Sequence, residues 1–214
     1  MTARTSDGTR TRGTLGTGSG VPETTETAAR ARTRRAILEA ATSVLSADKS
    51  ASLADVAQAA HVGRTTLHRY FPERADLVEA IGAEAVERTR AAITAARLDV
   101  GDPAAALRRL AFEYFDLGPW YMVLFNEVAD GEPEFWAEAE EAEEPVRALL
   151  RRGQADGVVD DQLSVSWLVR TLWWTLFNAW SMAAEGEVSR ADALRMALRS
   201  IEGVALARPA RNPS

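Results

Sequence analysis

Cysteine is absent from the 214 residues of this sequence, and histidine occurs only twice. Without cysteine the chain cannot form a disulfide framework or a thiolate metal site. His61 and His68 are seven residues apart and have no clustered carboxylates beside them, which makes a poor zinc site. We therefore expect neither a metal ion nor another cofactor.

A long uninterrupted hydrophobic run is also missing. The longest apolar stretch, at 167–184, is broken by polar side chains and falls short of a membrane-spanning segment, so we interpret it as a buried helix. The arginines near the N-terminus have no apolar run behind them, which argues against a secretory signal. These absences predict a cytoplasmic protein with no membrane partner.

The sequence carries no recognisable catalytic signature. Gly16, Gly18 and Gly20 have neither a strand before them nor a helix after them, so they do not form a phosphate-binding loop. No hydroxyl nucleophile has a histidine at a recognisable spacing, because both histidines belong to one short segment. A run of glutamates could supply paired carboxylates, but such a run is more often a solvated helix face. Its members are Glu138, Glu140, Glu141, Glu143 and Glu144. We expect that the protein is not an enzyme.

Strand-like alternation and internal repeats are absent, and apolar residues recur instead at helical spacings. The first 28 residues are rich in Thr, Gly, Arg and Ser, which predicts a disordered tail. Caps and breaks then predict helices throughout the rest of the chain. Their approximate ranges are 30–48, 52–60, 64–70, from 73 onward, 103–117, 119–129, 134–154, 162–185 and 189–207.

Charge is distributed unevenly along the chain, whose formal net charge is −6. Residues 30–74 contain eight basic and four acidic side chains, a net charge of +4. From residue 81 to the end there are 14 basic and 22 acidic side chains, a net charge of −8. Chance fluctuation could produce this asymmetry, but it also fits an electropositive nucleic-acid-binding module followed by an acidic body.

Two of the predicted helices, 52–60 and 64–70, are joined by the short turn His61-Val62-Gly63. Ser52 is a candidate N-cap with Asp55 three residues later, as in a capping box, and Gly63 is an acceptable N-cap for the second helix. The outward side chains of that helix are all cationic or able to hydrogen-bond: Arg64, Thr65, Thr66, His68 and Arg69. A helix-turn-helix presents this end of its second helix to base edges in the major groove of DNA.

This stretch closely resembles the DNA-binding module of the TetR family of bacterial regulators. The positions that match the family motif are Val56, Ala57, Ala60, Val62, Thr66, Leu67, Tyr70, Phe71 and Leu77. His61 stands where glycine is usual, Gly63 where a capping serine is usual, and His68 where tyrosine is common. The turn position of His61 is one where a positive φ angle is expected, which few residues other than glycine adopt.

The resemblance implies a contact with double-stranded DNA in which phosphate contacts position the protein and base contacts specify the sequence. The residues implied to contact phosphates are Arg64, Thr66, His68 and Arg74, and those placed for bases are Thr65 and Arg69. The candidate DNA-binding set also includes Arg35, Ser52, Gly63 and Tyr70. For any one of these side chains a solvated surface is the simpler interpretation, but their place in one recognisable module favours DNA contact.

Aromatic residues of the second half cluster in two segments, at 114–125 and 167–180. Core packing explains such a cluster, and so does a mostly apolar ligand chamber with a few polar groups. The resemblance implies a small-molecule effector, which we expect to be apolar or aromatic, and neutral or cationic. Arg170 could instead meet a ligand carboxylate or pair with a nearby acidic residue. The candidate ligand-binding residues are Trp120, Tyr121, Phe125, Arg170, Trp173, Trp174, Phe177 and Asn178.

The predicted helices at 162–185 and 189–207 have apolar residues around most of their circumference, so they must be covered on two sides. One side faces their own core. A second copy of the chain is the candidate cover for the other side, which predicts an isologous homodimer with Leu198 in its seam. The corresponding pair forms the dimer interface in the TetR family.

These observations predict an all-α fold with an N-terminal helix-turn-helix DNA-binding domain at 29–77 and a helical ligand-binding and dimerisation domain at 78–208. Flexible ends are predicted at 1–28 and 209–214. The predicted function is that of a ligand-responsive transcriptional regulator of TetR type, a repressor that binds a palindromic operator as a homodimer. The alternative is a TetR-like small-molecule-binding protein without specific DNA binding.

Overall fold

The computed structural model describes residues 23–127 and 133–207, so residues 1–22 of the predicted N-terminal tail and all of the predicted flexible end at 209–214 lie outside them. These two ranges are almost entirely helical, and their strand-like pairing is limited to an isolated bridge between Val159 and Leu206. The predicted all-α class is confirmed. Among the described helices, none has the length and apolar character needed to cross a membrane.

The N-terminal module consists of α1 (Glu23–Ala47), α2 (Leu53–Ala59) and α3 (Arg64–Tyr70), followed by the long α4 (Arg74–Ala96). α1 begins before the predicted start at residue 30. The prediction that the disordered tail extends to residue 28 is therefore wrong over 23–28, where α1 continues towards the N-terminus from a stretch of alanine and arginine, both of which favour helix. α4 continues without a break across the predicted domain boundary between residues 77 and 78.

The second part of the chain contains six helices within the described ranges: α5 (Pro103–Phe115), α6 (Gly118–Glu127), α7 (Pro133–Ala142), α8 (Glu144–Ala155), α9 (Val165–Ala184) and α10 (Arg190–Ala205). The prediction of one helix over 134–154 is wrong, because the chain breaks at Glu143 between α7 and α8. Pro145 lies in the first turn of α8, where its missing N–H costs nothing. Inside a longer helix its ring would clash with a carbonyl of the preceding turn.

α4 and α9 are the two helices around which the others pack. α4 contacts α1, α5, α6 and α7, and α9 contacts α5, α6, α8 and α10. α6 also packs against α1, so this helix lies between the N-terminal module and α9. One continuous cluster of buried apolar side chains runs through both parts of the chain. The burial of apolar surface in this cluster is the main stabilising contribution to the fold.

We expect Gly118→Ala to destabilise the protein by about 1–3 kcal/mol, the range typical of overpacked cores. Gly118 begins α6 where that helix meets α9, and a Cβ there would lie 2.3 Å from ring atoms of Trp180. The matched control is Gly203→Ala in α10, where a Cβ would meet nothing within 4 Å. This control should be neutral or stabilising by up to about 1 kcal/mol. Urea denaturation of the two variants measures the difference, and equal stability would contradict this close approach.

Candidate functional site

The α2–turn–α3 unit is fixed by a cap, a turn and an apolar base. The Ser52 hydroxyl accepts a hydrogen bond from the Asp55 backbone N–H, and the Asp55 carboxylate accepts one from the Ser52 backbone N–H, which confirms the predicted capping box. These interactions with Ser52 lower the pKa of the Asp55 carboxyl. His61 has a φ angle of +54°, as expected for a position where glycine is usual. Val56, Leu67 and Phe71 are buried beneath the two helices.

The outward surface of α3 carries the predicted DNA-binding side chains. Gly63 caps the helix without a side-chain hydrogen bond, and Thr66 is half-buried. Within α3 itself the exposed members of the set are Arg64, Thr65, His68 and Arg69. Neither Arg64 nor Arg69 forms an ion pair with any described residue. Their charge is therefore available to an anionic partner.

Arginines of α1 extend this cationic surface past the C-terminal end of α3. The guanidinium of Arg30 lies 5.7 Å from the ring centroid of Tyr70, and that of Arg34 lies 5.7 Å from the ring centroid of Phe71. Arg69 approaches the Tyr70 ring at 5.9 Å. Arg35, the predicted contact on α1, is exposed. The sequence reasoning did not include Arg30 and Arg34 in the candidate set, although their charge was part of the basic excess.

Two residues of the predicted DNA-binding set have their polar groups directed to other partners. The Ser52 hydroxyl is hydrogen-bonded to the carboxylate and the backbone N–H of Asp55 in the capping box. The Arg74 guanidinium donates hydrogen bonds to the Glu127 carboxylate at the end of α6 and to backbone carbonyls of Lys49 and Ala51. The hydrogen bond with Glu127 raises the pKa of Arg74. We therefore leave both residues out of the proposed DNA interface.

An open cleft of about 450 Å³ lies between α6, α9 and the α7–α8 pair. Its aromatic walls come from α6 and α9 and consist of Tyr121, Phe125, Trp173, Trp174 and Phe177. The ring centroids of Phe125 and Trp174 are 5.6 Å apart in a stacked arrangement, and Phe177 meets Phe125 edge-on at 5.1 Å. These flat surfaces suit a planar aromatic guest.

Glu143 places a carboxylate on the wall of this cleft. It is 9% exposed, accepts a hydrogen bond from the indole N–H of Trp173, and lies 3.7 Å from the guanidinium of Arg147. Burial raises the pKa of Glu143, while the Trp173 hydrogen bond and the Arg147 charge act in the opposite direction. The prediction that this glutamate belongs to a solvated run is wrong, because the helix break at Glu143 turns it towards the core. Its neighbours Glu140, Glu141 and Glu144 are exposed as predicted.

Two tyrosines lie behind the Trp173 ring. Burial raises the pKa of Tyr121 to about 12, and its hydroxyl is hydrogen-bonded to Thr89 of α4 at 2.7 Å. The Tyr114 ring stacks on Trp173 with centroids 4.6 Å apart, and burial raises the pKa of its hydroxyl well above the usual value. No hydrogen-bond partner for the Tyr114 hydroxyl exists among the described residues.

Six of the eight predicted ligand-binding residues line the cleft, namely Tyr121, Phe125, Arg170, Trp173, Trp174 and Phe177. Trp120 and Asn178 do not. The Trp120 ring is buried beside the guanidinium of Arg88, at 4.2 Å. Asn178 is exposed and donates a long hydrogen bond to the Met182 sulfur. Arg170 is also exposed, at the rim of the cleft, and makes no ion pair within the described part of the chain.

α9 and α10 present apolar side chains to solvent. Of the six large hydrophobic residues exposed in the described ranges, four lie on these helices: Trp167, Trp174, Met196 and Val204. Leu198, the residue predicted to lie in a dimer seam, is half-buried and packs against the core. It also lines a shallow groove on α10 together with Met196. An exposed apolar surface of this extent suggests an interaction site.

Comparison with known proteins identifies relatives for both parts of the chain. The family described as bacterial regulatory proteins, tetR family, matches residues 37–81. The HTH-type transcriptional repressor LfrR of Mycolicibacterium smegmatis is 37% identical over 179 residues, which cover 82% of this chain and 93% of LfrR. The crystal structure of LfrR in complex with proflavine has a TM-score of 0.70 at 34% identity and covers 81% of this chain and 96% of that one. The crystal structure of the regulator PfmR from Thermus thermophilus has a TM-score of 0.62 at 25% identity and covers 78% of this chain and 97% of that one.

Proposed function

The chain belongs to the TetR family of bacterial regulatory proteins, and from this membership we propose that it is a homodimeric repressor that an aromatic cation releases from a palindromic operator. It is a DNA-binding transcriptional regulator. The observation that carries the proposal is the exposed surface of α3, whose arginines have no ion-pair partner among the described residues. A palindromic site follows from the twofold symmetry of a dimer that carries two such helices.

The proposed DNA contacts divide by their place on the module. Arg64, Thr66 and His68 are proposed to contact phosphates, together with the backbone of Gly63 at the N-terminus of α3. Thr65 and Arg69 are proposed to contact base edges. Arg35 and Tyr70 are proposed contacts at the edge of the same surface. The arginines of α1 beside Tyr70 support this arrangement by adding positive charge where the backbone of DNA would pass.

We expect Thr65→Ala and Arg69→Ala to reduce discrimination between the operator and mismatched sites, because a good base contact contributes roughly 1–3 kcal/mol. Arg64→Ala should instead weaken binding to all sequences alike and reduce the salt dependence by about one unit, as the loss of one phosphate contact would. Mobility shifts on operator and mismatched DNA at several salt concentrations measure both effects. Unchanged binding by all three variants would mean that α3 does not read DNA.

An aromatic cation is the effector class that the cleft supports best. LfrR, the relative above, has been crystallised with proflavine, a planar aromatic dye that carries a positive charge. The cleft of this chain combines stacked rings with the buried carboxylate of Glu143. Arg147 also lines the cleft, but its guanidinium is shared between the carboxylates of Glu143 and Glu140. Arg170 at the rim is exposed, so water and salt screen its charge more strongly than that of the buried carboxylate. Aromatic faces also attract cations directly.

The test of this function is a mobility shift with DNA from the protein's own promoter region. We expect specific binding that weakens as salt increases, and release of the DNA when proflavine is added. Binding that is no tighter than to unrelated DNA of the same length would favour the alternative, a small-molecule-binding protein without specific DNA binding. Specific DNA binding that proflavine leaves unchanged would contradict the proposed effector class but not DNA recognition.

A further inference from the structure

Arg74 joins three parts of the molecule through one side chain. Its Nη1 donates to the carbonyl of Ala51 at 2.6 Å, and its Nη2 donates to the carbonyl of Lys49 at 2.9 Å. Its Nε and Nη2 donate to the two carboxylate oxygens of Glu127 at 3.1 and 2.6 Å. We call this set of hydrogen bonds the Arg74 clamp. The clamp connects the start of α4 to the loop that precedes α2 and to the end of α6.

The clamp depends on the shape of arginine. A guanidinium has five donors in a rigid plane, so it can meet a carboxylate with two bonds and still reach two carbonyls, whereas a lysine ammonium is a single compact donor group. The Arg74 and Glu127 side chains are 33% and 19% exposed. This partial burial makes the pair less sensitive to screening by salt than a surface pair.

α6 connects the clamp to the cleft. Tyr121 and Phe125 of this helix line the cleft, and Glu127 follows within the same helix. A helix moves as a unit, because every residue is held by hydrogen bonds to the neighbouring turns. A guest that shifts or rotates α6 therefore displaces the carboxylate to which Arg74 is bonded. At its other end, the clamp holds the loop from which α2 and then α3 continue.

We propose that the Arg74 clamp transmits occupancy of the cleft to the DNA-reading helix, and that Arg74 is not a phosphate contact. This inference rests on the proposed release of DNA by an effector in the cleft. The clamp is closed in the arrangement described here, and an effector opens it by binding more tightly to the arrangement in which α6 has moved. A ligand can shift such an equilibrium only through this difference in affinity. The operator favours one arrangement of the two heads, so cleft and operator are coupled through the clamp.

The experiment compares the coupling factor of wild type with that of two clamp variants. The coupling factor is the ratio of the dissociation constants for operator DNA with and without saturating proflavine, both measured by mobility shift at one salt concentration. Glu127→Gln removes the charge of the acceptor and keeps its size. Arg74→Lys keeps the positive charge and loses the planar set of donors that meets the carboxylate with two bonds. The control is Glu87→Gln, which removes an exposed ion pair with Arg90 within α4 and leaves the clamp untouched.

We expect both clamp variants to retain proflavine binding and to show a coupling factor at least about fivefold smaller than that of wild type, since allosteric couplings of 5- to 150-fold are typical. The control should keep the wild-type factor. If Arg74 instead contacted a phosphate, Arg74→Lys would keep that contact and Glu127→Gln would not affect it. Both variants would then keep the wild-type coupling factor. A wild-type coupling factor in both clamp variants would overturn the clamp while leaving the proposed function intact. Absence of coupling in wild type would instead overturn the proposed effector.

Discussion

Met196→Glu is expected to convert the protein from a dimer to a monomer and to lower its affinity for a palindromic operator by at least about 100-fold. Met196 is 43% exposed on α10, within the apolar surface that we propose as the dimer interface. In an isologous interface each substitution occurs twice, so two new carboxylates would be buried in the interface. A monomer also loses the high effective concentration with which the second α3 finds its half-site.

The matched control is Val100→Glu, which introduces the same charge at a residue that is 42% exposed in the α4–α5 connection. It should leave a dimer with wild-type affinity for DNA. Met196 is a cleaner probe than Leu198, because Leu198 is half-buried against the core and a charge there would also weaken the fold. Sedimentation velocity measures the oligomeric state. A wild-type monomer at micromolar concentration, or a dimeric Met196→Glu variant, would contradict the proposed interface.

Glu143→Gln is expected to weaken proflavine binding by about 2 kcal/mol or more, the lower end of the loss seen when one partner of a buried charge pair is removed. Glutamine keeps the size of the side chain and an acceptor for the Trp173 indole N–H, but removes the negative charge. Affinity for an uncharged aromatic compound of similar size should change little. The control is Glu141→Gln, which removes an exposed carboxylate of the same acidic run that does not line the cleft.

The pH dependence of binding gives a second measurement of the same charge. Burial raises the pKa of Glu143, so acidification protonates this carboxyl before an ordinary glutamate. The neutral acid does not attract a cation, and wild-type affinity for proflavine should therefore fall as the pH falls through that pKa. Glu143→Gln should lack this dependence. Calorimetric titration at several pH values measures it, and parallel pH profiles would show that Glu143 does not bind the cation.

The sequence predicted those features that depend on neighbouring residues. The cap at Ser52, the turn at His61 and the two turns of α3 that follow are all specified by residues within a few positions of each other, and the structure confirms them. The helix break at Glu143 was missed although its cause, Pro145, is also local. Once the break is present, the acidic run no longer continues one solvated face, and Glu143 becomes buried.

The other features that were missed depend on contacts between distant parts of the chain. Tyr121 and Phe125 are four residues apart and share a face of α6, whereas Trp120 precedes Tyr121 by one position and points elsewhere. Which of these faces meets the cleft is decided by the packing of α6 against α4 and α9. Arg74 and Glu127 are 53 positions apart, so their ion pair cannot be inferred from spacing. Only the family motif predicted a DNA contact for Arg74.

Reciprocal titration shows whether a ligand in the aromatic cleft controls the DNA-reading helix. Proflavine affinity is measured by quenching of tryptophan fluorescence with and without saturating operator DNA, and operator affinity is measured by mobility shift with and without saturating proflavine. Because coupling between two binding sites is reciprocal, the two ratios must be equal. We expect each ligand to weaken the binding of the other by the same factor, of at least about fivefold. Quenching that is identical with and without DNA, with DNA fully retained, would contradict it.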